Sequence, residues 1–138
     1  MMKLKKINTA LGLILIVLCI AAGTWGIIRQ KTLKNNHKVC VAYVYKYTAG
    51  GRGNAGGIWI DYTIGINGKT YNGSSLYRMS DMSSSTVANS VLYKTFPAVY
   101  NPANPLLSSL MIIPKDFKKY GYTFPDSLNW LLHYLKEQ

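Results

Sequence analysis

From Ala10 to Ile28 the chain reads ALGLILIVLCIAAGTWGII, nineteen residues without a charge. About 20 apolar residues are what a helix needs to cross the hydrocarbon core of a bilayer, so this run limits everything that follows. Lys3, Lys5 and Lys6 precede it, and Arg29 and Lys31 end it. A cleaved signal peptide is the competing reading, with a basic start and Ala21-Ala22-Gly23 as a small-residue cleavage site. The apolar run continues through Trp25, Ile27 and Ile28, which favours a retained anchor. Cys19 follows Leu18 rather than a small residue, so it reads as an ordinary apolar position of the helix and not as a lipidation site.

The segment also explains the charge. The chain of 138 residues carries a formal charge of +11, and residues 1–38 supply +7 of it, with seven basic side chains and no acid. Residues 39–138 hold nine basic and five acidic groups, a balance of +4. The basic balance therefore belongs to the flanks of the apolar run and is poor ground for nucleic-acid binding. Positive charge on both sides nearly cancels in the positive-inside count. The expected arrangement is that of a signal anchor, with the short basic tail inside and the domain on the extracytoplasmic side. The chain divides into an anchor with basic flanks (1–31), a polar tether (32–38) and a β-rich domain with a C-terminal helix (39–138).

In that domain the periodicity changes. Val39, Val41, Tyr43, Tyr45 and Tyr47 alternate along one face of a β-branched and aromatic run, which predicts a strand. Cys40 reads as a small buried hydrophobe. Ile58, Ile60, Tyr62, Ile64 and Ile66 alternate with Trp59, Asp61 and Thr63, the clearest strand in the chain. Asn67-Gly68 then marks a type I′ hairpin, because that turn needs positive φ at both central residues. The return strand runs from Lys69 to about Tyr77, loosened by Gly73-Ser74-Ser75. Thr86 to Tyr93 fits a short helix or a strand. Thr95 to Tyr100 is extended, with Pro97 placing it at an edge or a strand start. Asn101 to Pro105 is a turn, and Ser108 to Ile113 is a last strand stopped by Pro114. One helical turn before Gly121 is followed by an amphipathic helix over about 127–136, capped by Asp126 or Ser127, with Leu128, Leu131, Leu132 and Leu135 on one side. The expected fold is thus an N-terminal transmembrane helix followed by a small, mainly β domain. That domain would be an antiparallel sheet, barrel or sandwich of about five strands with a C-terminal amphipathic helix.

Chemical motifs are sparse. Gly51 to Gly56 spells GxGxxG, but it leads into a strand, whereas a dinucleotide site needs it to open a helix. Gly68-Lys69-Thr70 resembles the end of a phosphate loop but lies in a hairpin. His37, Cys40 and His133 are too scattered for a metal site, and Asp61, Asp81, Asp116 and Asp126 are isolated from one another. Asn72-Gly73-Ser74 is a formal glycosylation acceptor, relevant only to a eukaryotic source. No catalytic, cofactor or metal residues are expected. All eleven tyrosines lie beyond residue 42. Tyr suits a half-exposed sheet and is also enriched at binding surfaces, so Tyr43, Tyr45 and Trp59 are the candidate partner-binding surface.

At Asn67-Gly-Lys-Thr-Tyr-Asn-Gly-Ser74 and at Phe96-Pro-Ala-Val-Tyr-Asn-Pro-Ala-Asn-Pro105 the chain resembles a group of small bacterial membrane proteins of unassigned function. In those proteins an apolar anchor precedes a β domain with an NGKxYxGS hairpin and a VxYNPxNP turn. The resemblance spans roughly residues 39–113, and the segment from Lys115 to Trp130 is similar to a subset of single-anchor members. Many members carry a second membrane helix that has no counterpart here. The resemblance implies a compact β domain beside a membrane and brings no catalytic residues. Two functions stand as expectations: a non-enzymatic binding or accessory module for another envelope protein, or an immunity protein that neutralises a toxin at the membrane. An enzyme using the Asp residues and the 49–57 loop is the third.

Overall fold

The computed structural model describes residues 2–50 and 56–136. Helix α1 spans Met2–Asn35, and its Ile14–Asn35 portion is long and apolar enough to cross a membrane, with none of its most apolar stretch buried against the rest of the chain. It reaches further than the apolar run. Residues 32–35 of the expected tether are helical, Leu33 is buried in the core of the domain, and Lys38 already opens the first strand.

Among the described residues five antiparallel strands follow: β1 (Lys38–Ala49), β2 (Gly57–Ile66), β3 (Lys69–Arg78), β4 (Thr95–Asn101) and β5 (Asn104–Leu110), ordered β3-β2-β1-β4-β5. A short helix, α2, links β3 to β4; its first turn is Ser84–Thr86 and it continues as a π-helical turn, Val87–Val91. Helix α3 (Pro114–Lys119) and helix α4 (Asn129–Lys136), entered through the 3₁₀ turn Asp126–Leu128, complete the described residues. The cap residue of that entry is Pro125, one position before the expected Asp126 or Ser127.

The inward face of β2 is the one read from its alternation: Ile58, Ile60, Tyr62 and Ile64 are buried. Asn67 and Gly68 both have positive φ, 51° and 75°, as a type I′ turn demands. On β1 the buried positions are Ala42 and Val44, with Cys40 half-buried beside them, and Val39, Val41 and Tyr43 face outward. The register slips between Val44 and Lys46, so Tyr45 is an extra residue and Tyr47 moves across to the inner side opposite Ile60. Tyr47 therefore does not share a face with Val39, Val41 and Tyr43.

Strand β4 is interior, contrary to the edge placement read from Pro97. The reason lies in which neighbour Pro97 addresses. Its carbonyl accepts from Met111 N at 2.9 Å, so its missing N–H also faces Met111, just past the last β5 residue Leu110, and the proline costs only the final rung of the β4–β5 ladder. The last strand likewise starts earlier than expected, at Asn104, because the turn needs only Pro102 and Ala103. Asn101 Oδ1 accepts from Ala103 N and Asn104 N at 2.9 and 3.0 Å, closing that turn. Met111 to Ile113 lie beyond the strand.

The two outer strands, β3 and β5, come together and turn the sheet into a nearly closed barrel, joined by side chains. Tyr62 Oη lies 3.1 Å from Ser108 Oγ, Leu110 N donates to Ser75 Oγ at 3.1 Å, and Tyr77 Oη donates to the Leu110 carbonyl at 3.1 Å. Tyr62 reaches across because its β3 partner is Gly73, over which the ring lies. Small β1 residues suit the same crowded interior: Ala42 sits opposite Phe96 and Ile64.

Candidate functional site

The buried polar groups of the barrel are hydrogen-bonded to one another and to its backbone. Asp116 Oδ2 accepts from Tyr77 Oη at 3.0 Å, from Ile112 N at 3.0 Å and from Ile113 N at 3.1 Å, the last forming the return half of a cap on α3. Burial pushes its carboxyl above the usual carboxylate range, outweighing those donors and Lys115, which pull it down. Burial, then the Asp116 charge, holds Tyr77 well above an ordinary phenol. Both side chains line the hollow between the barrel and α1. Burial raises the Cys40 thiol to about 11, which suits its packing role and makes it a poor nucleophile. His133 is exposed on α4 with its ring 5.9 Å from that of Tyr134. Among the described residues no three His, Cys, Asp or Glu side chains are grouped as metal ligands. Of the GxGxxG stretch, residues 51–55 lie outside the described residues, and Gly56 leads directly into β2. Gly68-Lys69-Thr70 joins two strands rather than a strand and a helix.

The outer surface is different. An antiparallel strand with one solvated face ordinarily turns polar side chains outward. On β1 the outward positions are Val39, Val41 and Tyr43, exposed by 49%, 66% and 43%. Tyr43 lies opposite Thr63 on β2 and Thr95 on β4, and Tyr45 protrudes beside it at the bulge. Trp59 is exposed on the same sheet face, but it lies opposite Thr48, four residues along β2 from Thr63 and so roughly 13 Å away at about 3.3 Å per residue. Its neighbour is the exposed Leu76 of β3. The fold thus brings Tyr43 and Tyr45 together and sets Trp59 apart, with Lys46 and Asp61 paired between them.

Three further aromatics extend the Tyr43 end, and none of them was apparent in the sequence pattern. Tyr93 is 67% exposed and holds φ at 61°, a left-handed conformation that bulky side chains rarely adopt. Its N–H bonds the Val44 carbonyl at 2.9 Å while Val44 N bonds the Lys94 carbonyl at 2.9 Å, so the ladder beside the bulge holds the strained residue in place. Lys94 Nζ stands 4.6 Å over the Trp130 ring, and Trp130 meets Tyr134 edge-on at 6.2 Å, both rings being exposed on α4. Compared with protein-family models, curated proteins and solved structures, the chain matches none of them.

Proposed function

We propose that this chain is a single-pass protein of a bacterial inner membrane, its barrel on the extracytoplasmic side, acting as a non-enzymatic binding or accessory module for another envelope protein. The observation that carries the reading is the outward row Val39, Val41 and Tyr43 on β1, half-exposed apolar side chains where a solvated strand would carry polar ones. Rigid aromatic rings next to aliphatic side chains are the composition of a protein-binding surface. Tyr45, Tyr93, Trp130 and Tyr134 supply those rings within the same region. The length and hydropathy of α1 support the anchor. The resemblance at Asn67–Ser74 and Phe96–Pro105 supports the bacterial membrane setting.

Site-specific photocrosslinking tests it in native membranes, with the photoreactive residue placed at Val41, at Tyr43 or at Ala103 in the exposed β4–β5 turn. The expected result is one protein adduct of the same size from positions 41 and 43 and none from 103. Adducts with lipid alone, or the same ladder of products from all three positions, would refute the reading.

A further inference from the structure

Where α1 meets the barrel, two hollows of about 590 and 570 Å³ flank the helix and share Gly26, Gln30 and Lys119 on their walls. Together they form a trough along one side of the helix. Its upper part is apolar, lined by Gly23, Gly26 and Ile27 from the uncharged run. Its lower part is cationic, with Arg29 and Lys115 in one hollow, Lys31 and Lys34 in the other, and Lys119 in both.

Among the described residues Lys115 alone of these cations has a carboxylate partner. Lys115 pairs with Asp81 at 2.6 Å, and among the described residues no carboxylate lies within ion-pair distance of Arg29, Lys31, Lys34 or Lys119. Asp116 is the acid that lines the trough, and its Oδ2 is already taken by three donors. The change from apolar to cationic walls comes at Arg29, the first charge after the uncharged run, which is where a spanning helix would leave the hydrocarbon. A free anion could use only the lower half of such a trough. An amphiphile with an acidic head and an acyl chain matches both halves.

We propose that the trough seats one anionic phospholipid, its phosphate held by Arg29 and Lys119 and its chain lying along the Gly23–Gly26 side of α1. The proposal rests on the membrane reading above. Binding would be selective for head-group charge, because a zwitterionic lipid brings its own ammonium to a site that already holds unpaired cations.

The test uses the full-length chain reconstituted in phosphatidylcholine vesicles, with a small equal fraction of dibrominated phosphatidylglycerol or dibrominated phosphatidylcholine. Trp25, exposed on α1 one residue from Gly26, reports lipid contact by fluorescence quenching once Trp59 and Trp130 are replaced by phenylalanine in every protein compared. The brominated phosphatidylglycerol should quench more strongly, with an apparent preference of roughly fivefold or more. The pair Arg29→Gln and Lys119→Gln should bring the ratio close to one, while Lys69→Gln at the hairpin leaves it unchanged. Chain that floats with the vesicles but is quenched equally by both lipids overturns the lipid site alone. Failure to float with either vesicle overturns the membrane reading and the site with it. Loss of the preference on adding soluble glycerol phosphate would show a free-anion site and overturn the lipid assignment.

Discussion

Replacing Gly73 by alanine is the sharpest test of how the barrel closes. A methyl at this position would lie 2.5 Å from Tyr62 Cε2 and 2.6 Å from its Oη. Carbon contacts settle at about 3.5–4.0 Å, so the ring must move by roughly an ångström. It has little freedom to do so, being fully buried and bonded to Ser108 at 3.1 Å. Overpacking of this kind costs about 1–3 kcal/mol. Losing the bond to Ser108 adds about 0.5–1.5 kcal/mol, and the lower chain entropy of alanine returns about 0.5–1 kcal/mol. The net loss is about 0.5–4 kcal/mol, centred near 2 kcal/mol, a fall in Tm of roughly 10–15 °C at that centre for a domain of this size. Gly65→Ala is the matched control, since Gly65 lies in β2 with nothing within 4 Å of the added methyl. It should leave Tm unchanged or slightly raised. Melting is followed on the full-length chain in detergent by near-ultraviolet circular dichroism, because α1 would dominate the far-ultraviolet signal. A Gly73→Ala protein that melts with wild type, or a Gly65→Ala protein that falls as far, would refute the packing of Tyr62 over Gly73.

Asn101→Ala removes bonds to Ala103 N, Asn104 N and the Asn36 carbonyl from a buried side chain, so it should cost about 2–3 kcal/mol in chemical denaturation; a loss within error would break the link drawn between the β4–β5 turn and the end of α1. Gly68→Val puts a β-branched residue at φ 75° and should cost about 1–3 kcal/mol, read as a lower Tm. Asp116 predicts a pH dependence of a particular sign. Its folded pKa is raised, so the folded chain holds the proton more tightly, and this stability is fully present below the unfolded pKa and lost as pH rises through the folded one. The stability of wild type relative to Asp116→Asn should therefore decline as pH rises from the ordinary carboxylate range through the elevated folded value; a difference that grows with pH over that window would contradict it.

Strand β2 and its hairpin were legible because they obey a single rule each: strict alternation over Ile58–Ile66, and a type I′ turn for which Asn-Gly is a preferred pair. Strand β1 was legible as a strand but not in its orientation. Val39, Cys40, Val41, Ala42, Tyr43 and Val44 are all apolar, so the alternation that would tell inside from outside is absent. The choice is made by volume across the sheet, small Ala42 going in against Phe96 and Ile64, and that pairing is known only once the strand order is. The bulge at Tyr45 then shifts Tyr47 inward, which no local pattern announces. Pro97 misled for a related reason: its missing N–H falls at the last rung of the β4–β5 ladder, opposite Met111, and that position is known only once the strand order is.

The same logic separates the parts of the candidate site. Tyr43 and Tyr45 could be named from sequence because they are close together in the chain, whereas Trp59 was grouped with them on composition alone and the register places it elsewhere. Tyr93, Trp130 and Tyr134 come from two other segments, and only the strained turn at Tyr93 and the Lys94–Trp130 contact connect them to that end of the sheet. Among the described residues no buried side-chain polar atom lacks a partner. What remains unsatisfied is outside: apolar side chains on β1 without a cover, and cations beside α1 without counter-charges. Leu33 in the core and the Asn36 carbonyl bonded to Asn101 fasten the end of the helix to the barrel that carries the first of these surfaces. A lipid held in the trough would then touch the domain as well as the helix, so the bilayer's charge could bias how the β1 surface is presented to a partner.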